Sequence, residues 1–278
     1  MEVSPGRIAS LPPWWAVFVM GLVLWGAAIG STFLTKDVIT LETIVMIGSF
    51  LVPVTAVVWY LDHEQSAALT TRRILGAFAI AGTVSLLASS LLEHYLVGYG
   101  TVSNFKIGLI EEFTKAALIV AVAWGIRVFP LRDGMALGAA VGFGFAALES
   151  SGYALASFYP IGGRRFTHAL DNVLLTELAR GVLAPFGHGM WTALVGGVIF
   201  AAVARRKWLL GTAAIVAAYL LVSALHGAFD SIDGVKGYVI ISLIGLVPLV
   251  VLWRNGRPPA PRAQPSEEVT ATVGTSAG

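Results

Sequence analysis

Residues 14–34 read WWAVFVMGLVLWGAAIGSTFL, a run of 21 residues that holds no charged side chain. An α-helix needs about 20 such residues to cross the hydrocarbon core of a bilayer. Tryptophans are typical of the membrane–water interface, and Trp14 and Trp15 stand at the start of the run. The run also exceeds the apolar core of a secretory signal peptide, which is about 7–15 residues long. The stretch therefore predicts a transmembrane helix.

Outward from this stretch, the rest of the chain has the same character. Of its 278 residues, 56% are hydrophobic and 12% are charged, and the mean hydropathy is +0.80, whereas soluble domains carry about 25% charged residues. Charged and turn residues divide the chain into eight predicted spans: 14–34, 38–61, 73–97, 107–126, 132–158, 176–203, 208–231 and 236–253. We predict an all-α fold, a polytopic bundle of about eight transmembrane helices.

The domain organisation follows from the same division. No polar stretch of about 50 residues separates the apolar runs, so residues 1–253 are predicted to form a single multi-pass membrane domain. From Arg254 the composition turns to Arg, Pro, Ser, Thr and Gly. Such a segment buries too little apolar surface to fold alone, and residues 254–278 are predicted to be a disordered cytoplasmic tail.

The basic residues predict the orientation in the membrane. With the N-terminus in the cytoplasm, the inside segments carry 11 Lys and Arg residues and the outside loops carry 5. This bias predicts that both termini are cytoplasmic. The same residues punctuate apolar runs and form no soluble basic face, so no nucleic-acid partner is expected. The chain has no cysteine, which excludes a disulfide framework, a thiolate nucleophile and a cysteine metal cage.

Ionisable residues inside the spans are the candidates for chemistry. Each costs roughly 2.5–3.5 kcal/mol on insertion scales and therefore needs a partner or a function. The fourth span reads GLIEEFTKAALIV. Lys115 lies four residues after Glu111 and three after Glu112, so either pair can meet on one face of the helix. A self-neutralising ion pair is the structural alternative, but one lysine leaves one of the two carboxylates without a local partner. The pattern favours an acid/base role.

The next three spans add further ionisable groups. Glu149 lies in GFGFAALES, four residues after Phe145; His188 lies in PFGHGMWT; His226 lies in SALHGAFD, four residues before Asp230. Taken alone, each could be a buried core residue whose hydrogen bonds are satisfied within the protein. Asp230 at this spacing could take the second ring proton of His226 and fix its tautomer.

The depth of each group in the bilayer indicates whether these groups can lie close together. At about 1.5 Å per residue from the predicted outer ends, all of them fall in the outer half of the bilayer. Four consecutive helices could therefore present two imidazoles and three carboxylates to one cavity. That composition suits a divalent metal such as zinc, with a water as the remaining ligand.

Other residues have simpler expected roles. Gly134, Gly138 and Gly142 recur every four residues and predict a close helix–helix approach. Arg180 follows Glu177 by three residues, which predicts a helix-start ion pair, with binding of a substrate carbonyl as the alternative. Six further groups sit at span ends or in loops and are expected to be solvated at the interface: Glu42, Glu93, His94, His168, Asp171 and Asp233.

Two other protease patterns are missing from the sequence. His63 is the one histidine followed by glutamate, in HEQSA, so the HExxH zinc pattern is absent, and no G-x-S-x-G nucleophile elbow is present. The motifs that remain are Glu111-Glu112-Phe-Thr-Lys115 (EExxK), Phe145 to Glu149 (FxxxE) and His226 to Asp230 (HxxxD). In this order they resemble the PrsW family of intramembrane proteases.

The likeness extends beyond the motifs. DGMALGAAVGFGFAALES and PFGHGMWTALVGG are similar to the fifth and sixth helices of that family, and the resemblance covers residues 40–253. The family is distantly related to the CAAX prenyl endopeptidases, which have His in the second motif. This chain has Glu149 there, which favours the PrsW branch.

The resemblance implies an intramembrane endopeptidase of a bacterial plasma membrane. Its substrate would be a single-span, membrane-anchored protein such as an anti-sigma factor, whose loss releases a stress-response transcription factor. We expect Glu111 or Glu112 to act as general base on a water and Lys115 to hold the acidic pair. Glu149, His188 and His226 would hold a divalent metal, zinc, or polarise the water directly, and Asp230 would orient His226.

Two alternatives from other functional classes stay open at this point. Chains of acidic and histidine residues in membrane helices also form proton or ion pathways. Such a pathway would place its groups in both leaflets, whereas the predicted positions fall in the outer half. An inactive relative that only binds a partner is the second alternative, and the complete motifs argue against it.

Overall fold

The fold is an all-α bundle, described here from a computed structural model that covers residues 12–256 except 64–65, 67, 101, 159–165 and 233–234. No β-strand occurs in this part of the chain. The helical segments, numbered in chain order, are α1 (Trp14–Thr35), α2 (Val38–His63), α3 (Thr71–Leu96), α4 (Ser103–Val122), α5 (Leu131–Phe158), α6 (166–205), α7 (Trp208–Ser231) and α8 (Val235–Asn255). The sequence predicts eight segments, and eight are found among the described residues.

Seven of the described segments are long and apolar enough to cross a membrane by length and composition. The segment outside that group is α4, which carries Glu111, Glu112 and Lys115 in its middle. Those three side chains are almost fully buried, with exposures of 5%, 1% and 0%. The polar content of α4 is therefore turned into the bundle, where the other helices cover it.

Two π-helical turns interrupt otherwise continuous helices. In α3 the turn spans Ala77–Ala81, and in α6 it spans Pro185–Gly189, between the α-helices Phe166–Ala184 and Met190–Arg205. A proline inside a helix lacks the N–H that its turn would donate, so the ladder has to adjust locally. The adjustment at Pro185 places His188 inside a π-turn, a local geometry frequent at functional sites.

The centre of the bundle is the contact between α5 and the second half of α6. Gly134, Gly138 and Gly142 face the backbone carbonyls of Gly196, Thr192 and His188, respectively, with no room for a Cβ atom. Leu137, Val141, Trp191 and Phe200 are fully buried around this contact. The predicted close approach is confirmed, and it brings the His188 turn directly against α5.

We expect Gly138→Val to lower the free energy of unfolding by about 1–3 kcal/mol or more, because an overpacked contact forces backbones apart. The added side chain would overlap the backbone of Thr192. Gly152→Val is the matched control on the same helix, since nothing lies within 4 Å of a Cβ at Gly152. Thermal melting of both variants in detergent checks this. Equal melting temperatures for the two would contradict the packing assignment.

Several boundaries differ from the predicted ones. The helix α6 begins at Phe166, ten residues before the predicted start at 176. The prediction follows apolar residues, whereas the first turns of this helix carry polar residues such as Asp171. The helix α8 continues to Asn255, past the predicted start of the tail at 254. The remainder of the predicted tail, 257–278, lies outside the described residues.

The polar end of the bundle is formed by four helix ends. Asn104 at the start of α4 donates a hydrogen bond of 2.9 Å to the backbone carbonyl of Asp230 near the end of α7. Glu93 near the end of α3 and Tyr153 near the end of α5 line the same cavity as these two residues. The ionisable groups of α4 to α7 therefore converge within one end of the bundle.

Candidate active site

The centre of the site is the charged triplet of α4. The Lys115 ammonium donates to Glu112 Oε1 at 2.8 Å and to Glu111 Oε2 at 3.2 Å. It also lies 4.0 Å from the centre of the Phe145 ring, a favourable position for a buried cation. Lys115 contacts both carboxylates, as the spacing of the three residues predicts.

His226 joins this triplet from α7. Its Nδ1–H donates to Glu112 Oε1 at 2.9 Å. Its Nε2 lies 3.5 Å from Glu111 Oε2 and 3.3 Å from Asp230 Oδ2, without hydrogen-bond geometry to either. Glu112 thus fixes the tautomer through Nδ1 and leaves Nε2 beside the carboxylates of Asp230 and Glu111.

His188 approaches the same carboxylate from α6. Its Nε2 lies 3.0 Å from Glu149 Oε2, and its Nδ1 accepts a hydrogen bond of 2.8 Å from Lys115. The same Nδ1 is 3.9 Å from Glu111 Oε2. The His188 and His226 rings lie 4.8 Å apart in an edge-to-face arrangement. Each imidazole therefore has a carboxylate on one nitrogen, and its other nitrogen lies within 4 Å of Glu111 Oε2. In His188 that second nitrogen is bonded to Lys115.

Glu111, His188 and His226 form a group that could hold a metal ion. One ligand atom from each residue lies within 4.8 Å of the others. Two imidazoles and one carboxylate are a ligand set found in catalytic zinc sites, and the buried His226 Nε2 without a hydrogen bond is the kind of donor that such a site uses. Lys115 keeps two carboxylate partners if His188 Nδ1 takes a metal. The donor chemistry therefore fits a divalent ion.

Glu149 has different neighbours from those predicted for a metal ligand. Its Oε2 contacts His188 Nε2 and accepts a hydrogen bond from Arg180 Nη2. The carboxylate in the metal-capable group is Glu111, so a ligand role for Glu149 stays a prediction.

The predicted ion pair between Arg180 and Glu177 is wrong. Arg180 pairs with Glu149, whereas the buried Glu177 accepts a hydrogen bond of 2.7 Å from Ser49 on α2. The reason is geometric, since these two residues, three apart on α6, point to different neighbouring helices. Arg180 thereby becomes part of the site.

A polar cavity of about 370 Å³ opens beside the cluster. Its wall includes Glu111, Glu149 and Asp230 of the predicted set, together with Arg180. Glu112 is not among the lining residues, because it is enclosed between Lys115 and His226. Glu111 is thus the residue that belongs both to the metal-capable group and to the cavity.

Sequence reasoning missed Glu93 as a residue of the site. The sequence predicts that it is solvated at the interface, but it lines the cavity, and its Oε1 is buried without a hydrogen bond to any described residue. The four-residue spacing of Ser85, Ser89 and Glu93 places a polar stripe on α3 and could have indicated this.

The other predicted interfacial groups divide in two. Glu42, His94 and Asp171 are exposed, as expected. The His168 side chain and Asp233 lie outside the described residues.

A buried carboxylate beside two oriented imidazoles and an open polar cavity can activate water for hydrolysis. In a comparison with protein families, a model described as PrsW family intramembrane metalloprotease matches residues 64–253. Searches of curated proteins and of solved structures give no match. The matched range contains the site helices α3 to α7 completely. The chain therefore belongs to the PrsW family of intramembrane metalloproteases.

Proposed function

We propose that the protein cleaves a single-span, membrane-anchored protein, an anti-sigma factor, in the bacterial plasma membrane and thereby releases a stress-response regulator. The observation that supports the proposal is that Glu111 belongs both to the buried cluster and to the cavity wall. It contacts the buried His and Lys groups and also lines a polar cavity at one end of the bundle. A cavity near one end of the helices suits a substrate cut close to one membrane surface.

In this proposal Glu111 is the proton acceptor. Its Oε2 faces Lys115 and His226, while its Oε1 forms no hydrogen bond with a described residue. A water in the cavity can therefore give its proton to Glu111 as its oxygen bonds to the peptide carbonyl carbon. When the C–N bond breaks, the proton passes on to the leaving amine nitrogen.

The surrounding residues hold Glu111 and the two imidazoles in place. Lys115 bonds Glu111 and Glu112 together, which keeps two adjacent carboxylates stable in a buried site. Glu112 orients His226 through Nδ1, and Glu149 orients His188 through Nε2. Asp230 lines the cavity, and its Oδ2 lies 3.3 Å from His226 Nε2, where it can help to orient the His226 ring.

We propose zinc as the metal, held by His188, His226 and Glu111. The alternative set expected from the sequence uses Glu149 in place of Glu111. When bound, the ion supplies Lewis acidity toward water and the peptide carbonyl. Glu149→Gln separates the two sets, because metal content should survive this change if Glu111 is the ligand.

The test of the function is cleavage by purified protein of a panel of membrane-anchored anti-sigma factors. Cleavage of at least one member is expected. Cleavage of other single-span proteins alone would leave the protease proposal standing and remove the anti-sigma factor. A proton or ion pathway would show flux across proteoliposomes without any cleavage.

The orientation is proposed as N-in and C-in, and cysteine labelling tests it without background in this cysteine-free chain. Gly98→Cys lies between α3 and α4, where nothing lies within 4 Å of a Cβ, and it should react with an impermeant thiol reagent from outside. Trp124→Cys, 84% exposed after α4, should react only after permeabilisation. The reverse pattern would place the site in the cytoplasmic half of the bilayer.

A further inference from the structure

Arg180 is the one cationic side chain among the described residues that line the polar cavity. The wall otherwise carries four carboxyl groups, those of Glu93, Glu111, Glu149 and Asp230. The Arg180 side chain is 21% exposed, so part of its guanidinium reaches the cavity. It therefore shares the wall of this cavity with Glu111.

The guanidinium is held in a fixed orientation. Its Nη2 donates to Glu149 Oε2, and its Cζ lies 3.9 Å from the centre of the Tyr153 ring. A planar cation placed between a carboxylate and an aromatic face has little rotational freedom. Donors that are oriented before the reaction are the ones that stabilise charge developing in a transition state.

Most donors of Arg180 have no partner among the described residues. A guanidinium has five N–H groups, yet among the described residues Arg180 hydrogen-bonds Glu149 alone, and its Nε is buried without a partner. Glu149 also contacts His188 and is thus not a dedicated counterion. A cation in a membrane helix needs hydrogen-bond acceptors for its donors, and a bound substrate can supply them here.

We propose that Arg180 donates to the carbonyl oxygen of the scissile peptide bond, an inference that rests on the proposed proteolysis. As water oxygen bonds to the carbonyl carbon and its proton moves to Glu111, the carbonyl π electrons move onto oxygen, and Arg180 stabilises that negative charge. The carbonyl reforms when the C–N bond breaks. A substrate carboxylate is disfavoured as the ligand, because the four acidic groups of the wall would repel it.

The first test measures kcat and KM on a cleaved single-span substrate. Arg180→Gln should lower kcat by about 100- to 1,000-fold, as loss of an oxyanion donor does, and should change KM by less than about threefold, because the contact strengthens only in the transition state. Arg180→Lys keeps the charge but loses the planar arrangement of N–H donors. Its kcat should lie between that of the wild-type protein and that of Arg180→Gln. A loss confined to KM would overturn the proposal.

The matched control is Arg73→Gln, which removes an arginine bonded to the backbone carbonyls of Val122 and Trp124, away from the cavity. It should lose stability at most and keep kcat per folded molecule. A kcat loss in Arg73→Gln equal to that in Arg180→Gln would show a general folding effect and would contradict the proposal.

The second test asks whether Arg180 only positions or neutralises Glu149. If so, removing both charges in Glu149→Gln/Arg180→Gln should restore kcat to the level of Glu149→Gln alone. If Arg180 acts on the substrate oxygen, the double variant should be slower than Glu149→Gln by about the factor that Arg180→Gln costs the parent protein. Restoration would overturn the proposal.

Different results would overturn the proposed function and the role of Arg180. A wild-type protein that cleaves no membrane-anchored substrate would overturn the proposed function and this inference with it. A wild-type protein that cleaves normally, with kcat unchanged in Arg180→Gln and Arg180→Lys, would overturn the role of Arg180 alone.

Discussion

Glu111→Gln should lower proteolysis by about 100-fold or more, because it removes the proposed general base, while the protein keeps its fold. It should also lower the metal content, because Glu111 is one of the three proposed ligands. Gln preserves the shape of the side chain and removes its proton-accepting charge. The fold should survive because Lys115 retains Glu112 as a partner at 2.8 Å. The measurement is the cleavage rate per folded molecule, with melting temperature recorded in the same detergent.

Glu112→Gln should cost less, roughly 10- to 100-fold, because Glu112 orients His226 and does not line the cavity. Glu42→Gln, at an exposed position, is the matched control and should have no effect. Full activity in Glu111→Gln, in Glu112→Gln and in the double variant would rule out the assignment of the acidic pair.

The second large effect concerns the two histidines. His188→Ala and His226→Ala should each abolish activity, and the double variant should add little, because residues that act as a unit are not additive. Each single change should also release the bound metal, since it removes one donor of the Glu111, His188 and His226 group. Elemental analysis of the purified variants measures this independently of activity.

His94→Ala, at an exposed histidine, is the control and should keep both metal and activity. Asp230→Asn should be milder than either histidine change, roughly 10- to 100-fold, as befits a residue that acts through His226. A purely structural pair of histidines would behave otherwise: stability losses would add and activity per folded molecule would persist. That outcome would remove the histidines from the site.

Local spacing explains why much of the architecture could be predicted. Apolar length defines a span, and three- or four-residue spacing places Lys115 against Glu111 and Glu112 on one helix. The glycine repeat from Gly134 to Gly142 likewise predicts its own packing. These features depend on one helix at a time, which is why the sequence is sufficient for them.

Contacts between distant helices could not be read in the same way. Three-residue spacing on one helix predicts that Arg180 pairs with Glu177, whereas its partner Glu149 is 31 residues away. The bond between His226 and Glu112 joins residues 114 apart. The rotation of each helix about its axis decides such pairs, and that rotation is set by packing over the whole bundle.

The most direct test of the central claim, hydrolysis of a peptide bond within the membrane, is mass analysis of cleavage products. Purified wild-type protein and a single-span anti-sigma factor are reconstituted together in liposomes in water labelled with heavy oxygen. We predict one scissile bond near the outer end of the substrate span, one heavy oxygen atom in the new carboxyl terminus, and no product with Glu111→Gln. Intact substrate with folded, metal-loaded wild-type protein across the whole panel, or equal cleavage by Glu111→Gln, would contradict the account.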